Sequence, residues 1–246
     1  MKKTICILFF PLLISCSYVF DLKRTGDIIT KEYEWNGAPQ VEIYAPVRVI
    51  PVISEESKIV LTGMDFIVEG YQFIQSDEKL IIEHKNSNHI QESKIADLFL
   101  YTQKFENITA NSPCKLYCID TLYINNLSVI INGRGTNTMV DLIIKGNNLS
   151  FMAFGNNKCK TKISGKVNST YYIIQGATVI DALGLSTEKS KITHKSYADC
   201  YLFVTELLDV NIFAPGNVYY KGNPEIIFKK TENNLLNSTG KVIKIQ

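Results

Sequence analysis

Charge of neither sign is in surplus, since 26 Lys and Arg face 24 Asp and Glu. A chain this balanced, with no local basic patch, has no electrostatic footprint for nucleic acid. No Gly-x-Ser-x-Gly, His-Glu-x-x-His, P-loop or dinucleotide fingerprint occurs, so the common hydrolase, metalloprotease and nucleotide chemistries have no foothold. From Val41 onward no stretch of twelve residues carries a helical apolar period, which argues against bundles and α/β folds. The hexapeptide period of left-handed acyltransferase helices and the leucine-asparagine template of leucine-rich repeats are missing too. Histidine is scarce: His84, His89 and His194 share no ligand spacing, so they read as solvated loop residues and neither metal nor other cofactor is expected.

What is present begins at the N-terminus. Lys2 and Lys3 precede an apolar run from Ile5 to Ile14, the layout of a secretory signal and too short for a span of about 20 residues. Leu13-Ile14-Ser15-Cys16 resembles a bacterial lipobox. That resemblance implies cleavage before Cys16 and diacylation of its thiol; the alternative is an ordinary signal peptide with a chance cysteine. Loss of Lys2 and Lys3 leaves 24 cations against 24 anions. The expected organisation is a signal over 1–15, a lipidated tether over 16–31 and one β domain over 32–246, with a long loop or seam at 86–97. The membrane partner is then covalently held lipid. Ser17 is not an inner-membrane retention residue by the enteric rule, so the reading is an outer-membrane lipoprotein facing periplasm or medium.

The remainder reads as strands. Short β-branched and aromatic runs recur between Asn, Gly, Ser and Lys, among them Val41–Tyr44, Lys58–Leu61, Phe66–Val68, Lys79–Glu83 and Leu98–Tyr101. Ser128–Ile131, Asp141–Ile144, Tyr171–Ile174, Cys200–Val204 and Val210–Phe213 follow. Asn125-Asn126, Asn147-Asn148 and Asn168 recur at about 21 residues, and strands end at Gly133, Gly155, Gly176 and Gly216. A 21-residue unit made only of strand and turn predicts a parallel β-helix, with the Asn side chains stacked into amide ladders. An antiparallel sandwich is the alternative.

Cys118, Cys159 and Cys200 are spaced by 41 residues, so a uniform period puts them in or near one column on every second rung. Rungs stand about 4.8 Å apart. Thiols two rungs apart, or four residues apart on a strand like Cys114 and Cys118, exceed disulfide reach. Four free thiols are expected.

Val218-Tyr219-Tyr220-Lys221-Gly222-Asn223-Pro224-Glu225-Ile226 resembles the C-terminal signature of the head GIN domain family, Tyr-x-Gly-x-Pro between apolar residues, with a last strand like Lys241–Ile245. Val41–Tyr44, Ser57–Gly63 and Glu78–Glu83 resemble the family's opening strands, so the likeness runs from about Glu34 to Lys244. The family's Gly-Ser-Gly corners have drifted here to Gly133-Arg134-Gly135, Phe154-Gly155, Gln175-Gly176 and Pro215-Gly216. The resemblance implies a right-handed β-helix of pectin-lyase-like form, and adhesion or surface binding without catalysis.

Site candidates are few. Asp120, Asp141 and Asp181 sit just beyond the expected cysteine column, with Asp120 and Asp141 one rung apart, but Lys162 at the next step makes a charged outer face the better reading. Calcium needs six to eight oxygens and two are in hand. Trp35, Tyr171, Tyr172, Tyr219 and Tyr220 are candidates for stacking on sugar rings, and strand alternation turns one of each tyrosine pair outward. The sequons at Asn107, Asn126, Asn148, Asn168 and Asn237 are explained in part by the Asn repeat, while Asp120-Thr121-Leu122 resembles an O-glycosylation acceptor. The sequence is thus read as a non-catalytic envelope lipoprotein that binds glycan or protein. A structural outer-membrane partner protein and a β-helix polysaccharide lyase or hydrolase are the alternatives.

Overall fold

The computed structural model describes residues 25–86, 94–135, 137–231 and 238–246. The signal segment, Cys16, most of the expected tether, His89 and Asn237 lie outside the described residues. Among those described, no helix is long and apolar enough to cross a membrane.

Residues with period-two apolarity form a parallel β-solenoid of about six turns. In its first half lie β1 (Ile28–Glu34), β2 (Gln40–Ile43), β3 (Arg48–Ile53), β4 (Lys58–Met64), a helical turn α1 (Asp65–Val68), β5 (Tyr71–Gln75), β6 (Lys79–His84), β7 (Asp97–Thr102), β8 (Asn107–Ala110) and β9 (Lys115–Tyr117). Then come β10 (Leu122–Ile131), β11 (Met139–Ala153), β12 (Lys160–Gly176), β13 (Val179–Ser196), β14 (Cys200–Ile212), β15 (Val218–Lys221), β16 (Glu225–Lys230) and β17 (Val242–Lys244). In space the first rung is β6 with β7, the next β2 with β3, then β8 with β9, so the chain lays its second rung before its first. The first rung is bordered by antiparallel strands: β5 on β6, and β4 between β1 and β7.

The long strands bend around the solenoid. In β11 Val140, Leu142 and Ile144 point inward, the alternation resets over Lys145–Asn148, and Leu149, Phe151 and Ala153 point inward again. At the bend, a Cβ on Gly146 would collide with the carbonyl of Ile124 on the rung before, so only glycine lets the two backbones approach. One interior column runs Leu80, Val41, Ile108, Val129, Phe151, Tyr172, Ile192, Val210, with every member buried. Full burial of one such side chain is worth about 1.5–3 kcal/mol.

The rungs shorten along the chain. Partners on successive rungs, Asn126, Asn148, Ser169, Lys189, Leu207 and Glu225, differ by 22, 21, 20, 18 and 18 residues. The register slips between Lys162 and Ser164, between Ala182 and Ser186, and between Thr187 and Lys189. This corrects the expected cysteine column. All four thiols are free and buried. They nevertheless occupy three columns: Cys114 and Cys159 flank Thr138, Cys118 follows Tyr117, the partner of Asp141, and Cys200 pairs with Ile180. Burial pushes the Cys114 thiol up to about 12 and that of Cys159 up to about 11, in keeping with space-filling use.

Other expectations change as well. The tether expected over 16–31 overlaps β1, which pairs along its whole length, with Ile28 opposite Met64 and Lys31 opposite Leu61, so strand begins inside that segment. Phe66–Val68 is helical: the Asp65 carboxylate accepts from the Phe66 amide in the first turn, and the turn buries Ile67 and Val68. His194 is no loop residue: it is fully buried within β13, and burial pushes its imidazole down to about 4. His84 is half-buried, its Nε2 3.0 Å from the carbonyl of Ile67.

Candidate binding groove

The outer face of β10, β11 and β12 and the segment 104–106 ahead of β8 form a concavity. Two outward columns line it: Asn126, Asn148 and Ser169 in one, Ser128, Ser150 and Tyr171 in the other. The side chains of the first column bond to one another across rungs. The Asn148 amide donates to Asn126 Oδ1 at 2.7 Å, and the Ser169 hydroxyl to Asn148 Oδ1 at 2.6 Å. Beside it, Asn147 donates to Asn125 at 2.7 Å and Asn168 to Asn147 at 3.0 Å. These are the amide ladders expected from the spacing. They join side chains on three successive rungs, and at this exposed site each bond contributes about 0.5 kcal/mol net.

The ladder forms one wall of a groove of about 710 Å³ whose lining also includes Phe105, Leu127 and Leu149 at its base. Tyr123, 62% exposed, and the exposed Tyr171 supply its aromatic rings. The charged lining residues are Lys104 and Glu106, which pair at 2.8 Å, so the groove as a whole is uncharged. Beyond Tyr171 the second column continues into Lys191 and Asp209, paired at 3.3 Å. Two aromatic faces and a row of neutral hydroxyl and amide groups suit a ligand rich in hydroxyls.

The five aromatic candidates divide. Trp35 is 5% exposed and packs near Phe105, with ring centroids 6.3 Å apart, and Tyr172 and Tyr220 point into the core. Their rings are closed to a ligand. Tyr171 lies in the groove. Tyr219 faces outward on the other side of the solenoid, stacked on Tyr201 at 5.0 Å and 11°. Burial raises the Tyr201 phenol, with the Asp199 carboxylate adding to it. The sequence reading missed Tyr123, although its position between inward Leu122 and Ile124 marks it as outward.

The carboxylate trio is also rearranged. Tyr117, Asp141, Lys162, Asp181, Tyr201 and Tyr219 form one outward column, so Asp141 neighbours Tyr117 and Lys162 rather than Asp120. Asp120 sits in the turn after β9. The alternation of Asp141, Lys162 and Asp181 is the charged outer face that was expected. Among the described residues no group of three or more His, Cys, Asp or Glu is placed to hold a metal ion.

Residues 39–224 match the family described as "putative auto-transporter adhesin, head GIN domain". The chain belongs to that family. Its solenoid is similar to a solved "putative adhesin" from Bacteroides fragilis, at 17% identity and a TM-score of 0.78, covering 90% of this chain and 98% of that one. A "putative adhesin" from Parabacteroides merdae aligns at 16% identity and a TM-score of 0.63, over 90% and 97% of the two chains. A "putative lipid binding protein" from Parabacteroides distasonis aligns at 14% and 0.63, over 90% and 98%. At these identities the likeness establishes the fold of this GIN domain. No curated protein matches it.

Proposed function

We propose that this GIN domain is a non-catalytic adhesion module that binds glycan in the groove between Tyr123 and Tyr171. The observation that carries the reading is the pairing of two exposed tyrosines with an uncharged Asn and Ser ladder in one concavity. A sugar stacks its apolar face on a ring and spreads its hydroxyls over amides and hydroxyls, and the ladder extends that offer over three rungs. The family description and the adhesin neighbours point the same way. The test is a glycan-array screen of the purified protein, read for binding and for product release. Saturable binding without turnover, weakened roughly tenfold or more by Tyr171→Ala or Tyr123→Ala, is expected. Binding indifferent to both substitutions sinks the groove, and released product makes the protein an enzyme.

A second reading rests on a separate groove of about 460 Å³ lined by Leu116, Tyr117, Met139, Val140 and Val179, where Arg48, Lys115, Lys160 and Lys162 outnumber the carboxylates of Asp141 and Asp181. Its aliphatic floor under cationic heads fits an acidic amphiphile, in line with the lipid-binding neighbour. Fatty-acid titration with Met139→Asp as control separates the two grooves.

The same reading places the domain in the cell envelope, held through lipid on Cys16. Incorporation of a tagged fatty acid that is lost in Cys16→Ala is the expected outcome, and labelling of both chains alike removes that anchor.

A further inference from the structure

The outward row next to the groove carries two like charges that no described carboxylate answers. Tyr123, Lys145 and Lys166 are direct partners on β10, β11 and β12, and all three are exposed. One residue on each strand, Ile124, Gly146 or Val167, separates them from Asn125, Asn147 and Asn168. The column is therefore the next outward row beside the amide ladder. Tyr123 belongs to both features, since it lines the groove and heads the lysine column.

Neighbouring rungs stand about 4.8 Å apart, so the ammonium groups of Lys145 and Lys166 can reach one and the same anion. Like charges in direct register repel, and elsewhere on this surface the chain avoids that cost. Lys162 lies between Asp141 and Asp181, Lys191 pairs with Asp209 at 3.3 Å, and Lys79 pairs with Glu42 at 2.6 Å. Among the described residues Lys145 and Lys166 have neither an ion pair nor a hydrogen bond. Asp120, in the turn ahead of β10, pairs with neither. Glu106 is held by Lys104 at 2.8 Å, and Glu188 stands one row over on the rung after Lys166 without reaching it.

This placement bears on the ligand. A sugar stacked on Tyr123 has the Asn row on one side and, on the next rung, Lys145 within the length of a lysine side chain. An anionic substituent on that sugar meets both ammonium groups while the hydroxyls stay on the amides. An ammonium is a compact point charge without a planar fork, so the pair selects for charge and not for one oxyanion.

We propose that the glycan taken by the groove is acidic, with a carboxylate or sulfate group seated between Lys145 and Lys166 beside Tyr123. This rests on the groove reading above and adds the charge class of the ligand.

The test is titration of the purified protein with matched pairs of glycans, uronates against their methyl esters and sulfated chains against desulfated ones. The anionic member is expected to bind roughly tenfold more tightly, with the advantage lost as salt rises. Lys145→Gln with Lys166→Gln brings it down to the affinity of its neutral counterpart, and Lys145→Arg with Lys166→Arg keeps the preference. Both sites are exposed and the Gln exchange relieves repulsion, so an unchanged or higher melting temperature accompanies the loss, which an unfolded variant would not show. Equal affinity within every pair, or a preference indifferent to the Gln exchange, overturns the acidic class and leaves the groove standing. A preference that needs the lysines but ignores Tyr123→Ala and Tyr171→Ala overturns the seating of that ligand in the groove. No binding by any member overturns both readings.

Discussion

The two ends of this solenoid solve the same problem in opposite ways. At the N-terminal end the chain folds back on itself: β4 and β5 run antiparallel over the first rung, α1 tucks in Ile67 and Val68, and Leu61 and Ile59 are fully buried. At the C-terminal end β17 covers β15, but β16 stops with its inner residues Ile226 and Phe228 exposed. A parallel stack cannot cover its own final rung with another like it. Reversal of strand direction closes the first end, whereas at the other the described residues place no strand over β16.

The sharpest break of this contrast comes from truncating one residue at each end. Leu61→Ala removes a fully buried side chain and is expected to cost about 2–5 kcal/mol in urea unfolding. Phe228→Ala is expected to cost less than about 1 kcal/mol, because nearly half of its surface is already in water. Equal costs would mean that the C-terminal end is closed after all.

Acid sharpens the comparison from another side. His194 shares an interior column with Ile174, Ile212 and Lys230, two rungs from the open end, and neither of its ring nitrogens has a hydrogen-bond partner. Its folded pKa of about 4 lies below the ordinary 6.5, chiefly through burial and partly offset by Asp199. Between these values the unfolded chain binds the extra proton. The stability is therefore intact above pH 6.5 and lost as pH falls towards 4, by on the order of 3 kcal/mol. Hydrogen exchange in acid should open β13 to β16 before β4 and β7. His194→Leu should remove most of the pH dependence, and an unchanged profile in that variant would assign it to other groups.

The smallest effect belongs to the ladder. Asn148→Ala breaks the bonds to Asn126 and Ser169 at an exposed site, and a loss of about 1 kcal/mol is expected from thermal unfolding. Asn125→Ala, at the end of its row, should cost about half as much because it removes one bond rather than two.

Much of the stack was legible because Asn and Gly mark positions rather than faces. An Asn that must bond to the Asn of the next rung betrays the rung length, and a glycine under a neighbouring carbonyl betrays the bend. The drift in rung length was not legible, since the slips after Lys162 and Ala182 leave apolar alternation undisturbed on either side. That drift separates Cys118, Cys159 and Cys200, and differing rung offsets likewise part Asp120 from Asp141. Alternation said that one of Tyr171 and Tyr172 faces outward, but only the phase set by Leu149 and Phe151 on the rung before decides which. Trp35 is closed off through Phe105, seventy residues away, a contact that no local pattern carries.

The amide ladder also has a polarity. Asn148 gives its hydrogen to Asn126 and Ser169 gives its hydrogen to Asn148; Asn168, Asn147 and Asn125 follow the same order. Every donor looks back towards the earlier rung, so the small dipoles add head to tail. At one end of the row Asn126 gives no hydrogen along the ladder and keeps both amide hydrogens, and at the other Ser169 has given its only one and keeps its lone pairs. A linear sugar laid along the row would meet a giver at one end and a taker at the other, and the wall would read its two directions as different molecules.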